Sequence, residues 1–156
     1  MKKIIYDFGA NNGDNIPYYL LKSDLVIAVE ANPELCNLIK NRFNKEIEDK
    51  KLIVENCILI SKISSLTNKF YLHKERHLLS QFPKPEPELL NKFNEVTIIS
   101  KNVIEIIKKY GEPYYIKIDL ENYDHIILKE IFINNIKPKY ISAESTFIDI
   151  YGLMMI

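Results

Sequence analysis

Near the amino end, the run Asp7-Phe8-Gly9-Ala10-Asn11-Asn12-Gly13 concentrates residue types suited to touching a ligand. Gly9 and Gly13 can take backbone angles closed to other residues, and without side chains they let a ligand approach the main chain. Seventeen residues beyond Gly13 stands Glu30, where a carboxylate can accept two hydrogen bonds from ribose hydroxyls. A glycine turn alone occurs in any tight strand-to-helix connection. Joined to Glu30 it describes an adenosine pocket. The loop is not G-x-G-x-x-G, and Asp7 at its entrance would repel a pyrophosphate. It suits S-adenosylmethionine instead, whose amino-acid end carries an ammonium beside a sulfonium.

A second group of acids lies far along the chain. Asp119 and Glu121 stand near the carboxyl end of a later strand, where an open α/β sheet presents side chains to its ligand crevice. Either can act as general base toward a hydroxyl, and each can equally cap a turn or orient Lys117. Glu144 ends a further strand in the same layer. His73 and His77 are four apart and would share a helix face with Glu75 between them, a spacing that can hold a metal. Lys74 and Arg76 would repel a cation, so no metal is expected there. Those two residues could hold an anionic substrate. His125 beside Asp124 reads as a surface residue.

These residues need a frame, and the alternation of apolar β-prone runs with helical periods supplies a parallel sheet between two helical layers. Strands are expected at Lys3 to Phe8, Leu25 to Glu30, Lys51 to Ile60, Tyr114 to Asp119 and Lys139 to Glu144. A helix is expected to start at Asp14 or Asn15. Leu35, Leu38, Ile39 and Phe43 mark a helical face, with Asn32 as N-cap and Pro33 in the first turn. Val103, Ile106, Ile107 and Tyr110 mark another, ended by Gly111 and Pro113. Asp124 can cap a last helix running to Asn135. Residues 61–95 have weak periodicity and contain Pro83, Pro85 and Pro87, so they read as an insertion over one sheet edge.

The run Asp7 to Gly13 resembles the first motif of FkbM-type methyltransferases, and Val29-Glu30-Ala31-Asn32-Pro33 resembles their acidic second motif. Ile116-Lys117-Ile118-Asp119-Leu120-Glu121 is similar to that family's Lys-Ile-Asp-Val-Glu run at the fourth strand. The resemblance spans roughly residues 4 to 145. It implies a Rossmann-like methyltransferase fold with a mainly parallel sheet of about five strands. It implies an S-adenosylmethionine-dependent O-methyltransferase acting on a hydroxyl of a sugar or related small molecule, hence a carbohydrate-modifying transferase. Carried over by position, the cofactor contacts are Asp7, Gly9, Asn11, Gly13 and Glu30, and the catalytic candidates are Asp119 and Glu121. The chain departs from the family at Glu121-Asn122-Tyr123-Asp124, where Tyr123 fills a turn usually made of small residues.

The remaining properties bound the partners. One domain of 156 residues carries 21 Lys plus Arg against 21 Asp plus Glu, so no broad field exists to track nucleic acid or a membrane surface. Cys36 and Cys57 sit in apolar patterns and read as buried thiols of a reduced, cytoplasmic protein. Two other functions compete: a non-catalytic or truncated module that binds an adenosine ligand, favoured by Tyr123, and a nicotinamide-dependent dehydrogenase, disfavoured by the loop. The last twelve residues leave no room for the antiparallel strand pair that usually follows the fifth strand. A truncated product, or a homodimer through this edge and the apolar tail from Phe147 to Ile156, is expected.

Overall fold

The computed structural model describes residues 2–62 and 64–144. Its strands are β1 (Ile4–Phe8), β2 (Leu25–Glu30), β3 (Leu52–Asn56), β4 (Ile58–Ile60), β5 (Thr67–His73), β6 (Phe93–Asn102), β7 (Pro113–Ile118) and β8 (Tyr140–Ala143). Its α-helices are α1 (Ile16–Lys22), α2 (Pro33–Arg42), α3 (Asn44–Glu48), α4 (Val103–Tyr110) and α5 (Asp124–Ile133). Every residue of β1 and β2 is buried, as expected for strands covered on both faces. The main sheet is parallel throughout, in the order β3-β2-β1-β7-β8. That is the Rossmann-like arrangement expected from the alternation of elements.

Period-2 alternation sorts the central strands into two cores. Ile4, Tyr6, Phe8, Leu25, Ile27, Val29, Ile116 and Ile118 face α4 and α5. Ile5, Val26 and Ala28 face α1 and α2, where they meet Ile16, Tyr19 and Ile39. On this second face the alternation next delivers Asp7, Glu30 and Lys117. The polar site residues thus occupy positions that would otherwise be core.

The local signals act as read for α2 and α4. Asn32 caps α2 by accepting the Glu34 N–H at 3.0 Å, with Pro33 in the first turn. Gly111 closes α4 with φ +115°. Both cysteines are buried. At α5, however, Asp124 is the first helical residue rather than the cap, and Tyr123 occupies the cap position without a side-chain bond. The Asp124 carboxylate instead accepts the Leu120 N–H, bracing the loop that follows β7.

The expected strand from Lys51 to Ile60 is two strands in two sheets. β3 pairs with β2 as far as Glu30↔Asn56. There β2 turns into α2 and offers no further partner, and the Asn56 amide bonds the carbonyls of Glu30 and Ala31 at 2.8 and 3.0 Å. Beyond Cys57 the chain pairs with β6, forming a three-stranded sheet in the order β4-β6-β5. No strand was expected at β6 because Asn94, Glu95, Thr97 and the exposed Ile99 dilute its apolar alternation. Ile58, Ile60, Phe70 and Ile98 form its own small core.

His73 and His77 share no helix face. His73 ends β5, whereas His77 opens a short 3-10 turn. Among the described residues β8 is the last strand on its side of the main sheet, and the tail from Phe147 to Ile156, with the expected dimer contact, lies outside the described residues. Glu144 follows β8 and is exposed. Among the described residues no helix is long and apolar enough to cross a membrane.

Candidate active site

The carboxyl ends of β1, β2 and β7 border a cleft open to solvent at the edge of the main sheet, and β4 of the smaller sheet lines its far side. Of the expected residues, Gly9, Asn11, Glu30, Asp119 and Glu121 all line it. Two do not. Asp7 lies behind the wall, fully buried, and Gly13 packs into the α1–α2 core against Ile16, Ile39 and Phe43.

Gly9 is needed for a reason other than ligand approach. With φ +82°, a Cβ there would lie 1.8 Å from the Asp119 carbonyl oxygen. The end of β7 presses directly on the loop after β1, and Asp119 N–H donates to Phe8 O at 3.0 Å. The close approach is that of the protein's own backbone. It brings the first acidic motif and the last against one another.

Glu30 is the best-anchored acid of the cleft. Its Oε2 accepts the Asn11 N–H and its Oε1 the Asn32 N–H, each at 2.8 Å. Burial pushes its carboxyl up to about 7, with the two backbone donors pulling the other way. Asn11 reaches Glu30 by adopting φ +52°, a conformation that asparagine tolerates better than most side chains. Its own Oδ1 is buried with no partner.

Lys117 binds three groups together. Its ammonium donates to Asp7 Oδ1 at 3.2 Å and to Gly9 O at 3.0 Å, and it pairs with Asp119 Oδ2 at 3.4 Å. Register places Lys117 beside Asp7 across β1 and β7. Burial raises the Asp7 carboxyl to about 6 against the pull of Lys117, and its Oδ2 has no partner. Two carboxylates, Asp7 and Asp119, surround this one ammonium, an arrangement that favours a cationic ligand.

Glu121 and Asn122 both have positive φ, +45° and +68°, so the chain turns sharply after β7 and aims Glu121 at the cleft. Burial pushes its carboxyl up to about 7, and the charges of Asp119, Glu144 and Asp124 push the same way. A carboxyl poised there is suited to proton transfer at neutral pH.

The outer wall escaped the sequence reading. Phe70, His77, Leu78, Ser80 and Phe82 come from the segment of weak periodicity. Gln81 fixes them, exchanging backbone hydrogen bonds with Tyr71 and donating through its side chain to Pro83 O at 2.7 Å. Tyr123 meets Phe82 edge to face, with ring centroids 5.0 Å apart. No local pattern marks these residues because their common destination depends on the second sheet. Cys57 also lines the cleft, its thiol pushed up to about 12 by burial and therefore unreactive. Among the described residues no cluster of His, Cys, Asp and Glu is arranged to hold a metal.

Comparison with known proteins agrees with this architecture. Residues 7–153 match the model of the methyltransferase FkbM domain. The crystal structure of methyltransferase FkbM from Methylobacillus flagellatus KT superposes with a TM-score of 0.60 at 17% sequence identity. At that identity the likeness speaks for the fold. The alignment covers 99% of this chain and 36% of that protein, so the chain spans little more than a third of its length. No curated protein matches the chain. From residue 7 to residue 153, with its acids gathered at the edge of a parallel sheet, this chain belongs to the FkbM methyltransferase domain family.

Proposed function

We propose that the cleft binds S-adenosylmethionine and that the chain transfers its methyl group to a hydroxyl of a sugar or related small molecule. The observation that carries this reading is the double anchoring of Glu30. Each carboxylate oxygen spends one lone pair on a backbone N–H and keeps another for a ligand. A vicinal pair of ribose hydroxyls matches that arrangement. The buried, unpartnered Asn11 Oδ1 in the cleft wall is an acceptor suited to an ammonium donor. Asp7, held behind Lys117, adds its charge without contact.

When bound, the sulfonium supplies an activated methyl group. What the chain contributes is position and a base. Glu121 stands at the cleft with a carboxyl near neutrality, so it can take the acceptor's proton as the oxygen attacks. Asp119, tethered to Lys117, is the second candidate and keeps negative charge at the strand end. A binding module without transfer is the other reading. It is favoured by Tyr123, whose contact with Phe82 narrows the cleft where the family has small residues.

Calorimetric titration with S-adenosylhomocysteine tests the donor site. Glu30→Ala removes both ligand-facing acceptors and strands the N–H groups of Asn11 and Asn32, so affinity is expected to fall by about 1–3 kcal/mol. Unchanged affinity in that variant would overturn the assignment of Glu30. Turnover with a hydroxylated acceptor separates transfer from binding alone.

A further inference from the structure

Two lysines are brought together at the end of the β5–β6 ladder. The β5–β6 ladder runs from Thr67↔Ile99 to His73↔Phe93. Just past its end, Lys74 N–H donates to Lys92 O at 2.9 Å, which brings Lys74 beside Lys92, the last residue of a 3-10 turn over Pro87–Lys92. Two like charges drawn together in this way repel one another. On the ladder itself the charges are matched, as Lys69 with Glu95. Lys74 Nζ has only the Asn91 carbonyl, at 2.7 Å.

A third cation is held against this pair. His73 Nδ1 accepts the N–H groups of Glu75 and Arg76, at 3.2 and 3.0 Å, folding the chain back on itself. His73, Lys74, Arg76 and Lys92 then line one open depression, in which Glu75 is the only carboxylate among the described residues. Among the described residues no ion pair joins Arg76 or Lys92 to an acid. Arg76 is followed directly by His77 in the wall of the cleft, so the depression abuts the cleft on its outer side. In a chain with no net formal charge, this is a local excess of positive charge.

We propose that this depression is an anion subsite that holds a phosphate or diphosphate carried by the methyl acceptor. Arginine offers a planar fork matched to phosphate oxygens, and the two lysines supply point charges. Their mutual repulsion, a cost in the free protein, is relieved when an anion lies between them. That the anion belongs to the acceptor rests on the methyl-transfer reading of the cleft. Anion binding at the depression does not.

The experiment is calorimetric titration of the full chain with pyrophosphate at low chloride, beside a separate titration with S-adenosylhomocysteine. Wild type is expected to bind pyrophosphate saturably, and Lys74→Gln with Arg76→Gln to bind it at least about tenfold more weakly. Both side chains are exposed, so the double variant should fold and bind S-adenosylhomocysteine as wild type does. Lys92→Gln should weaken pyrophosphate in the same way. Absence of saturable binding, or equal affinity in the variants, overturns the subsite. Glucose 1-phosphate binding far better than glucose supports a phosphorylated small acceptor. An oligonucleotide that outcompetes both through Lys74 and Arg76 refutes it. Pyrophosphate bound as expected with no binding of S-adenosylhomocysteine would refute the methyl-donor reading and leave the anion site standing.

Discussion

Replacing Gly9 with Ala should damage this protein more than any other single methyl group added to the loop. The new Cβ would meet Asp119 O at 1.8 Å and Asp119 C at 2.9 Å, both backbone atoms, where real Cβ contacts do not fall below 3.0 Å. Relief requires the ends of β1 and β7 to move apart. That movement threatens the Asp119 N–H bond to Phe8 O and the Lys117 bond to Gly9 O, both 3.0 Å. The left-handed conformation costs an alanine about 1–2 kcal/mol, and each weakened hydrogen bond adds about 0.5–1.5 kcal/mol. The sum is about 2–5 kcal/mol, a large share of the roughly 5–15 kcal/mol that holds a typical domain folded. Gly13→Ala is the control. It has a similar φ of +79°, but its Cβ meets only side-chain carbons at 3.0–3.1 Å, so about 1–2 kcal/mol is expected. Urea unfolding of both variants measures the difference. If Gly9→Ala loses no more stability than Gly13→Ala, the close packing of loop and strand end is refuted.

Other consequences follow from the charges. Glu55 is gripped by Lys101, Lys109 and Tyr110, whose bonds bring its carboxyl down to about 2 despite burial. A depressed carboxyl stabilises the fold above its unfolded pKa of about 4.3, and that gain disappears as pH falls toward 2. Glu55→Gln should therefore be less stable than wild type by about 1–2 kcal/mol at pH 7, screening at the exposed Lys109 included. The gap in urea unfolding should close between about pH 4.5 and 2, and a pH-independent gap would contradict the ion-pair account. For Glu121, whose carboxyl is raised to about 7, the base must be ionised, so the rate of transfer should rise with pH through that value. Glu121→Gln should lose about two to four orders of magnitude in rate and the inflection with it, while S-adenosylhomocysteine affinity stays near wild type. If Asp119→Asn does this and Glu121→Gln does not, Asp119 is the base.

Much of this molecule was legible because its signals are local. The apolar runs of β1, broken only by Asp7, and of β2, ended by Glu30, announce strands covered on both faces, and the two lie side by side in parallel. Asn32 with Pro33 and Gly111 set helix ends within a few residues of themselves. Glu30 lies close enough in sequence to Gly9 for one strand–helix–strand unit, β1-α1-β2, to bring the two together. The Glu121 carboxyl is raised first by burial and then by Asp119 and Asp124, close by in sequence, and by the distant Glu144; its burial and the approach of Glu144 were implicit in no spacing.

What only the tertiary structure decided are the long-range pairings. Lys117 meets Asp7 across 110 positions, and the carbonyl of Asp119 leaves no room for a Cβ at Gly9. Lys51 to Ile60 reads as one β-prone run. Where it divides depends on β2 ending at Glu30 and on β6 waiting elsewhere. The meeting of Lys74 and Lys92 likewise depends on the register of β5 against β6. Hydrophobic period and capping are properties of a few adjacent residues, and so they are written in the chain itself. Register between distant strands, and the charges it sets side by side, is settled only when all the strands compete for partners in one fold.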